Sequence, residues 1–137
     1  MTSLSAEVAR DLESLTQVMQ LVETFFLTAN VDLKLRFPVE LALEEIFTNV
    51  VRHNSSGKGL IGITLGLRDD EMIITVTDFD APRFDPVADS PVVDVEAPLD
   101  GRTAGGLGIH LVKKIMDRIE YSHRNRTGTI TLYKRVN

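Results

Sequence analysis

Glu45 and Asn49 stand four residues apart in the stretch LALEEIFTNVVRH, Leu41 to His53. On a helical wheel advancing about 100° per residue, Glu45, Thr48, Asn49 and Arg52 share one polar face, with His53 at its edge. Glu44 points to a flank, and Leu43, Phe47 and Val50 fall on the far side. An ionised glutamate only accepts hydrogen bonds and can serve as a general base. Asn49 adds a neutral carbonyl oxygen one turn on. Mg²⁺ takes oxygen ligands, keeps several waters and is commonly completed by substrate phosphates. A base one turn from a metal-ligating amide suits phosphoryl transfer or hydrolysis. An ordinary amphipathic helix with a solvated face gives the same pattern, so this helix alone does not decide.

Two further stretches carry chemistry. EMIITVTDF ends its apolar run on Asp78. A carboxylate at the end of a buried strand is costly unless it receives hydrogen bonds. Those can come from turn backbone, as Asp often arranges, or from a ligand's exocyclic amine. The second source would select adenine over guanine, which presents a carbonyl at the corresponding position. In TAGGLGIHLVKKIMD, Gly105, Gly106 and Gly108 stand at the start of a helical pattern. Glycines let backbone approach an anion, and a helix N-terminus offers free N–H donors. Neither a dinucleotide fingerprint nor a P-loop is present. His110 and His123 have no partners at ligand spacing, and metal ligands come in clusters.

These residues need a frame. Ser3 to Ala9 alternates weakly and reads as an edge strand. Asp11 to Asn30 repeats apolar residues at helical spacing (Leu12, Leu15, Val18, Met19, Val22, Phe25, Phe26), with Asn30 suited to the C-terminal cap. Val31 to Arg36 suits a helical turn. Pro38 fits the first turn of a second helix running to about His53. Leu60–Arg68 and Glu71–Phe79 read as an antiparallel hairpin, as do Ile119–Arg124 and Gly128–Arg135. Between the hairpins, GLGIHLVKKIMDRI sets Leu107, Leu111, Val112, Ile115 and Met116 on one face. Asp80 to Ala104 contains four prolines and no regular element; so long a loop in a compact domain is usually functional or disordered. This order predicts an α+β two-layer sandwich, a mixed and mostly antiparallel sheet covered on one face by helices.

The 137 residues suit one domain, 1–137. There is no cysteine, which excludes disulfides and cysteine metal sites. Net charge is −5, which argues against a nucleic-acid partner. No apolar run approaches the roughly 18 residues of a membrane span, and MTSLSAEVARDLE lacks a signal-peptide pattern. A cytoplasmic protein away from the membrane is expected.

In order, the ExxxN pair Glu45 and Asn49, then Asp78 followed by Phe84-Asp85-Pro86, then GGLGIHLV resemble the GHKL ATPase superfamily. That group includes histidine kinases, gyrase-type ATPases and Hsp90-type chaperones. EEIFTNVVRH, RFDP and GGLGIHLVKKIMD are most similar to the small bacterial anti-sigma-factor serine/threonine kinases, and the likeness covers nearly the whole chain. The resemblance implies the Bergerat ATP-binding fold, with ATP and Mg²⁺. It makes Glu45 the general base and Asn49 the Mg²⁺ ligand. Asp78 would read the adenine amine, with Thr129 in support. Gly105, Gly106 and Gly108 would contact phosphates, and residues 80–104 would form an ATP lid. Arg52, Asp80, Arg102 and Thr103 complete the expected nucleotide contacts. The family commonly has glycine where this chain has Asp80; an aspartate there is expected to restrict φ or crowd the purine. The implied activity is phosphorylation of a STAS-type antagonist by a homodimer that also binds a sigma factor. Three alternatives stand beside it: an ATP- or ADP-sensing switch without transfer, a weak ATPase, and a detached histidine-kinase-like catalytic domain.

Overall fold

In the computed structural model, residues 2–82 and 106–137 are described. The element order is β1 (Thr2–Val8), α1 (Leu15–Ala29), α2 (Arg36–His53), β2 (Ile61–Arg68), β3 (Glu71–Asp78), α3 (Gly106–Ile115), β4 (Arg118–Arg124) and β5 (Thr127–Arg135). Short 3₁₀ turns precede α1 and α2. The five strands form one sheet in the order β1-β2-β3-β5-β4. Every pairing is antiparallel, so the sheet is not mixed as the sequence reading expected.

Strand parity divides the sheet into two faces. Ile61, Ile63, Leu65, Met72, Ile74, Val76, Ile130 and Leu132 are buried and join the core with Val22, Phe25, Phe26, Leu43, Ile46 and Phe47 from the helices. The alternate residues, Thr64, Thr75, Thr77, Thr129 and Thr131, face the other way. Strands of this kind pack one face on the core and leave the other polar. Helices α2 and α3 pack against each other, and α1 packs on β1 and β2. The two-layer expectation therefore holds.

Local chemistry sets the boundaries. The Asp11 carboxylate accepts from the Ser14 N–H at 2.9 Å and caps the turn before α1. Asn30 ends α1 in the left-handed conformation, φ 55° and ψ 47°, as asparagine does at helix C-termini. Pro38 sits in the first turn of α2, where the sequence placed it. The β4–β5 turn has positive φ at Asn125 and Arg126, the pattern of a tight two-residue hairpin. Helix α3 departs from expectation. Its buried residues include Ile109 and Val112, while Leu111, expected inside, is exposed; it ends at Ile115, and Ile119 lies in β4, as the expected second hairpin had it.

The consequence for chemistry is the position of α2. It is buried on two sides, through Ala42, Leu43, Ile46, Phe47, Val50 and Val51. Glu44 is exposed, whereas Glu45, Thr48 and Asn49 are only half-buried, as the wheel required. From Glu45 to Asn54 the helix rises nine residues, about 14 Å, a span on the scale of an extended nucleoside triphosphate.

Candidate active site

Asp78 is the one buried acid among the described residues, 5% exposed at the end of β3. Its burial follows from strand parity, since it continues the row Met72, Ile74, Val76 on the helix-facing side. Four donors meet its two oxygens. Arg10 donates to Oδ1 at 2.6 Å and to Oδ2 at 2.9 Å. The Asp80 N–H donates to Oδ1 at 3.0 Å. The Asn54 amide donates to Oδ2 at 3.2 Å. A carboxylate has about four lone-pair sites, so this one is fully engaged. Burial alone would push the Asp78 carboxyl up. The Arg10 hydrogen bonds, with the Asp80 N–H, the Asn54 amide and the Arg10 charge, outweigh it and hold the group below the usual carboxylate range.

Beside Asp78 lies a cavity of about 20 Å³. It is framed by α2 through Val50, His53 and Asn54, by Val76, Ala81 and Pro82, and by Tyr121, Gly128 and Ile130 of the second hairpin. Its walls are mostly apolar, and Asp78 is the acid among its few polar groups. That chemistry suits an amine-bearing aromatic base. The volume holds a single water, so a purine requires the walls to part and one donor to leave Asp78.

Midway along α2, Glu45 meets the glycine segment. A Cβ added to Gly108 would collide with the Glu45 carboxylate. The absence of a side chain at 108 is therefore what lets the acid lie against α3. Burial, with a smaller push from Glu44, raises the Glu45 carboxyl above its ordinary value, and Arg52 partly opposes this. An acid held this way takes up a proton more readily than an ordinary glutamate, the direction a general base needs. Among the described residues no cluster of three or more His, Cys, Asp or Glu could cage a metal. Mg²⁺ completed by phosphates and water would need little more than the Asn49 carbonyl, and the donor set fits that mode.

The remaining expected residues divide. Gly106 opens α3. Arg52 is exposed on the last turn of α2. Asp80 lies at the rim: its carboxylate accepts from the Lys58 N–H at 2.6 Å and from Arg126 at 2.9 and 3.0 Å, and these contacts hold it below the usual range. Its φ is not positive, so the feared backbone restriction does not arise. Thr129 is a correction. It pairs with Thr77 on the sheet face opposite Asp78, and Gly128 and Ile130 line the cavity in its place. Arg102, Thr103, Gly105, Phe84, Asp85 and Pro86 lie outside the described residues, as does nearly all of the expected lid. Arg10 and Asn54 were missed. The cost of burying Asp78 signalled that some partner must exist, but nothing in sequence spacing named residues 68 and 24 positions away.

Residues 8–134 match the model of the histidine kinase-like ATPase domain. The chain belongs to this family. Within the family its likeness is to RsbW-type proteins. It is 34% identical over 86 residues to the serine-protein kinase RsbW of Halalkalibacterium halodurans, covering 60% of this chain and 52% of that one. It is 28% identical over 109 residues to the RsbW of Bacillus velezensis, covering 72% and 64%. The match thus spans between half and two thirds of these relatives. Among solved structures, the RsbU and RsbW domains of a Mycobacterium tuberculosis protein superpose with TM-score 0.68 at 14% identity, over 99% of this chain and 33% of that one. The Pseudomonas aeruginosa SiaB–SiaC complex gives 0.60 at 13% identity, over 98% and 88%. These structures share the fold of this histidine kinase-like ATPase domain.

Two outcomes follow for the domain. Asp78, with a lowered folded value, contributes stability that is complete above the ordinary aspartate range near about 3.9 and lost as pH falls through the folded value. Glu45 has the opposite sign, since ionising it is harder in the folded state. Acid denaturation should show Asp78→Asn less stable than wild type at pH 7, with the gap closing in acid. A constant gap across pH would contradict the assignment. Gly108→Ala should leave stability within about 1 kcal/mol of wild type, because alanine's helix preference offsets the crowding of a flexible side chain. The same change should move the Glu45 carboxyl resonance in an NMR titration; an unmoved resonance would contradict the contact.

Proposed function

We propose that this chain is an ATP-dependent protein serine kinase of the anti-sigma-factor type. One observation carries the reading: a half-buried acid with a raised proton affinity lies against the glycine segment midway along α2, and the C-terminal end of the same helix borders the cavity beside Asp78. The likeness to proteins named serine-protein kinase RsbW supports the acceptor class.

In this reading the base enters the cavity between Val50, Val76, Ala81 and Ile130, and its exocyclic amine donates to Asp78. The triphosphate runs along α2 toward Gly106 and Gly108, where backbone N–H groups at a helix start favour anions. Asn49 would hold Mg²⁺ through its carbonyl, and the ion would supply charge neutralisation. Glu45 accepts the proton of the substrate serine hydroxyl. The serine oxygen bonds to the γ-phosphorus as the bond to the β–γ bridging oxygen breaks, and ADP leaves with that electron pair. Such transfer depends mostly on positioning and electrostatics, which a rigid buried helix provides. Arg102 and Thr103, with Arg52 at the outer rim, are the further proposed phosphate contacts. The substrate is a STAS-type antagonist protein and the second partner a sigma factor, bound by a homodimer. The SiaB–SiaC structure, in which a chain of this fold is held in a complex of two proteins, supports pairing with a protein partner.

A second reading is a nucleotide-binding switch without transfer. The full engagement of Asp78 favours it, because binding must first break a hydrogen bond there. Incubation with labelled ATP, Mg²⁺ and the cognate antagonist separates the two. The kinase reading predicts label on the antagonist and a loss of at least about 100-fold with Glu45→Ala, the usual scale of a general base. Nucleotide binding with no transfer by the wild type would favour the switch instead.

A further inference from the structure

Arg10 has no part in the chemistry described so far, yet it is among the most completely used side chains of the molecule. It follows β1, and its side chain is only 5% exposed. Both terminal nitrogens reach Asp78, and they also reach the Lys58 carbonyl at 3.1 Å and the Asn54 carbonyl at 3.5 Å. Its Nε is buried with no partner. The guanidinium is thus aimed so that its outer fork grips the carboxylate at the expense of its inner nitrogen. Arg10 does not line the cavity, whereas Asp78 and Asn54 do. Arg10 thus holds the carboxylate from outside the cavity lining, while Asn54 lies in that lining and makes the longest of the four bonds.

We infer that Arg10 is the positioning residue for base recognition, fixing the Asp78 carboxylate from outside the cavity lining while Asn54 is the donor that an incoming exocyclic amine replaces. The inference rests on the reading that Asp78 selects the base. A bidentate fork sets the plane of a carboxylate as well as its charge, and that plane decides where the cavity-side lone pair points. Asn54 can yield its place cheaply, because its amide also donates to the Asp80 carbonyl and keeps a partner when it leaves Asp78. A lysine would supply the charge of Arg10 without the fork.

The other charged and titratable groups around the carboxylate are few among the described residues. His53 and Tyr121 line the same cavity. His123 contacts the Ala81 carbonyl at 2.8 Å. Asp80 is tied to Arg126 and to the Lys58 backbone. Arg10 is the sole cation in direct contact with Asp78 among them.

Calorimetry with ATP and GTP from pH 4 to 8 tests the inference on wild type, Arg10→Gln, Arg10→Lys and Asp78→Asn. Wild type should prefer ATP, and Asp78→Asn should lose that preference. Arg10→Gln should cut the ATP-to-GTP affinity ratio about tenfold or more, the scale of a charge-assisted hydrogen bond. It should also raise the pH at which ATP affinity is lost in acid. Arg10→Lys should keep the acid midpoint near that of wild type while still lowering the ratio, and it serves if Arg10→Gln fails to fold. An unchanged ratio in the folded Arg10 variants, with Asp78→Asn losing it, would overturn the role of Arg10 alone. Retention of the preference in Asp78→Asn would overturn the reading on which it rests.

Discussion

A buried carboxylate must be given back the hydrogen bonds it loses to desolvation, and in this protein that requirement gathers four parts of the chain. Asp78 receives donors from the β1–α1 connection, the end of α2 and the start of the segment after β3. Removing one partner of such a buried pair leaves an uncompensated charge, at a typical cost of about 3–5 kcal/mol. The same groups that satisfy Asp78 thereby fix the cap of α2 relative to the sheet. Because α2 is a buried helix, its middle is positioned as well, and Glu45 lies against Gly108. The two chemically distinct ends of the site are therefore coupled through one helix.

That coupling explains why the acids have opposite proton affinities. Asp78 is buried but surrounded by donors, so its charge is favoured. Burial first, and the like charge at Glu44 second, disfavour the charge of Glu45. Two carboxylates whose environments push them apart are suited to different tasks, which in the proposed function are holding a donor and accepting a proton. Asp80 adds a third case. Its carboxylate turns out to the rim, where Lys58 and Arg126 meet it, and its backbone serves Asp78. An aspartate can replace a glycine at this position because the chain runs through it without a left-handed φ.

Much of this was legible in the sequence where periodicity was strong. The 3.6-residue pattern in α2 placed Glu45 and Asn49 together and Glu44 apart, and Asn30, Pro38 and both hairpins fell where their chemistry put them. Three things were not legible. The face of Thr129 depends on strand register, and a single-residue offset inverts it. The end of α3 depends on where the chain turns back to the sheet, so Leu111 was put inside and Ile109 left out. The Arg10–Asp78 pair joins residues 68 positions apart, and a need for a partner does not name one. The family likeness supplied roles for Glu45, Asn49 and Asp78, but not the residues that hold them.

In the proposed complex one nucleotide lies along α2, base at Asp78 and terminal phosphate toward Glu45. A crystal structure with Mg²⁺ and a non-hydrolysable ATP analogue tests it most directly. The account predicts the exocyclic amine within about 3 Å of an Asp78 oxygen, the Asn54 amide withdrawn from that oxygen, and the γ-phosphate beside Gly108. An analogue bound on the threonine-rich face of the sheet, or with its base away from Asp78, would contradict it.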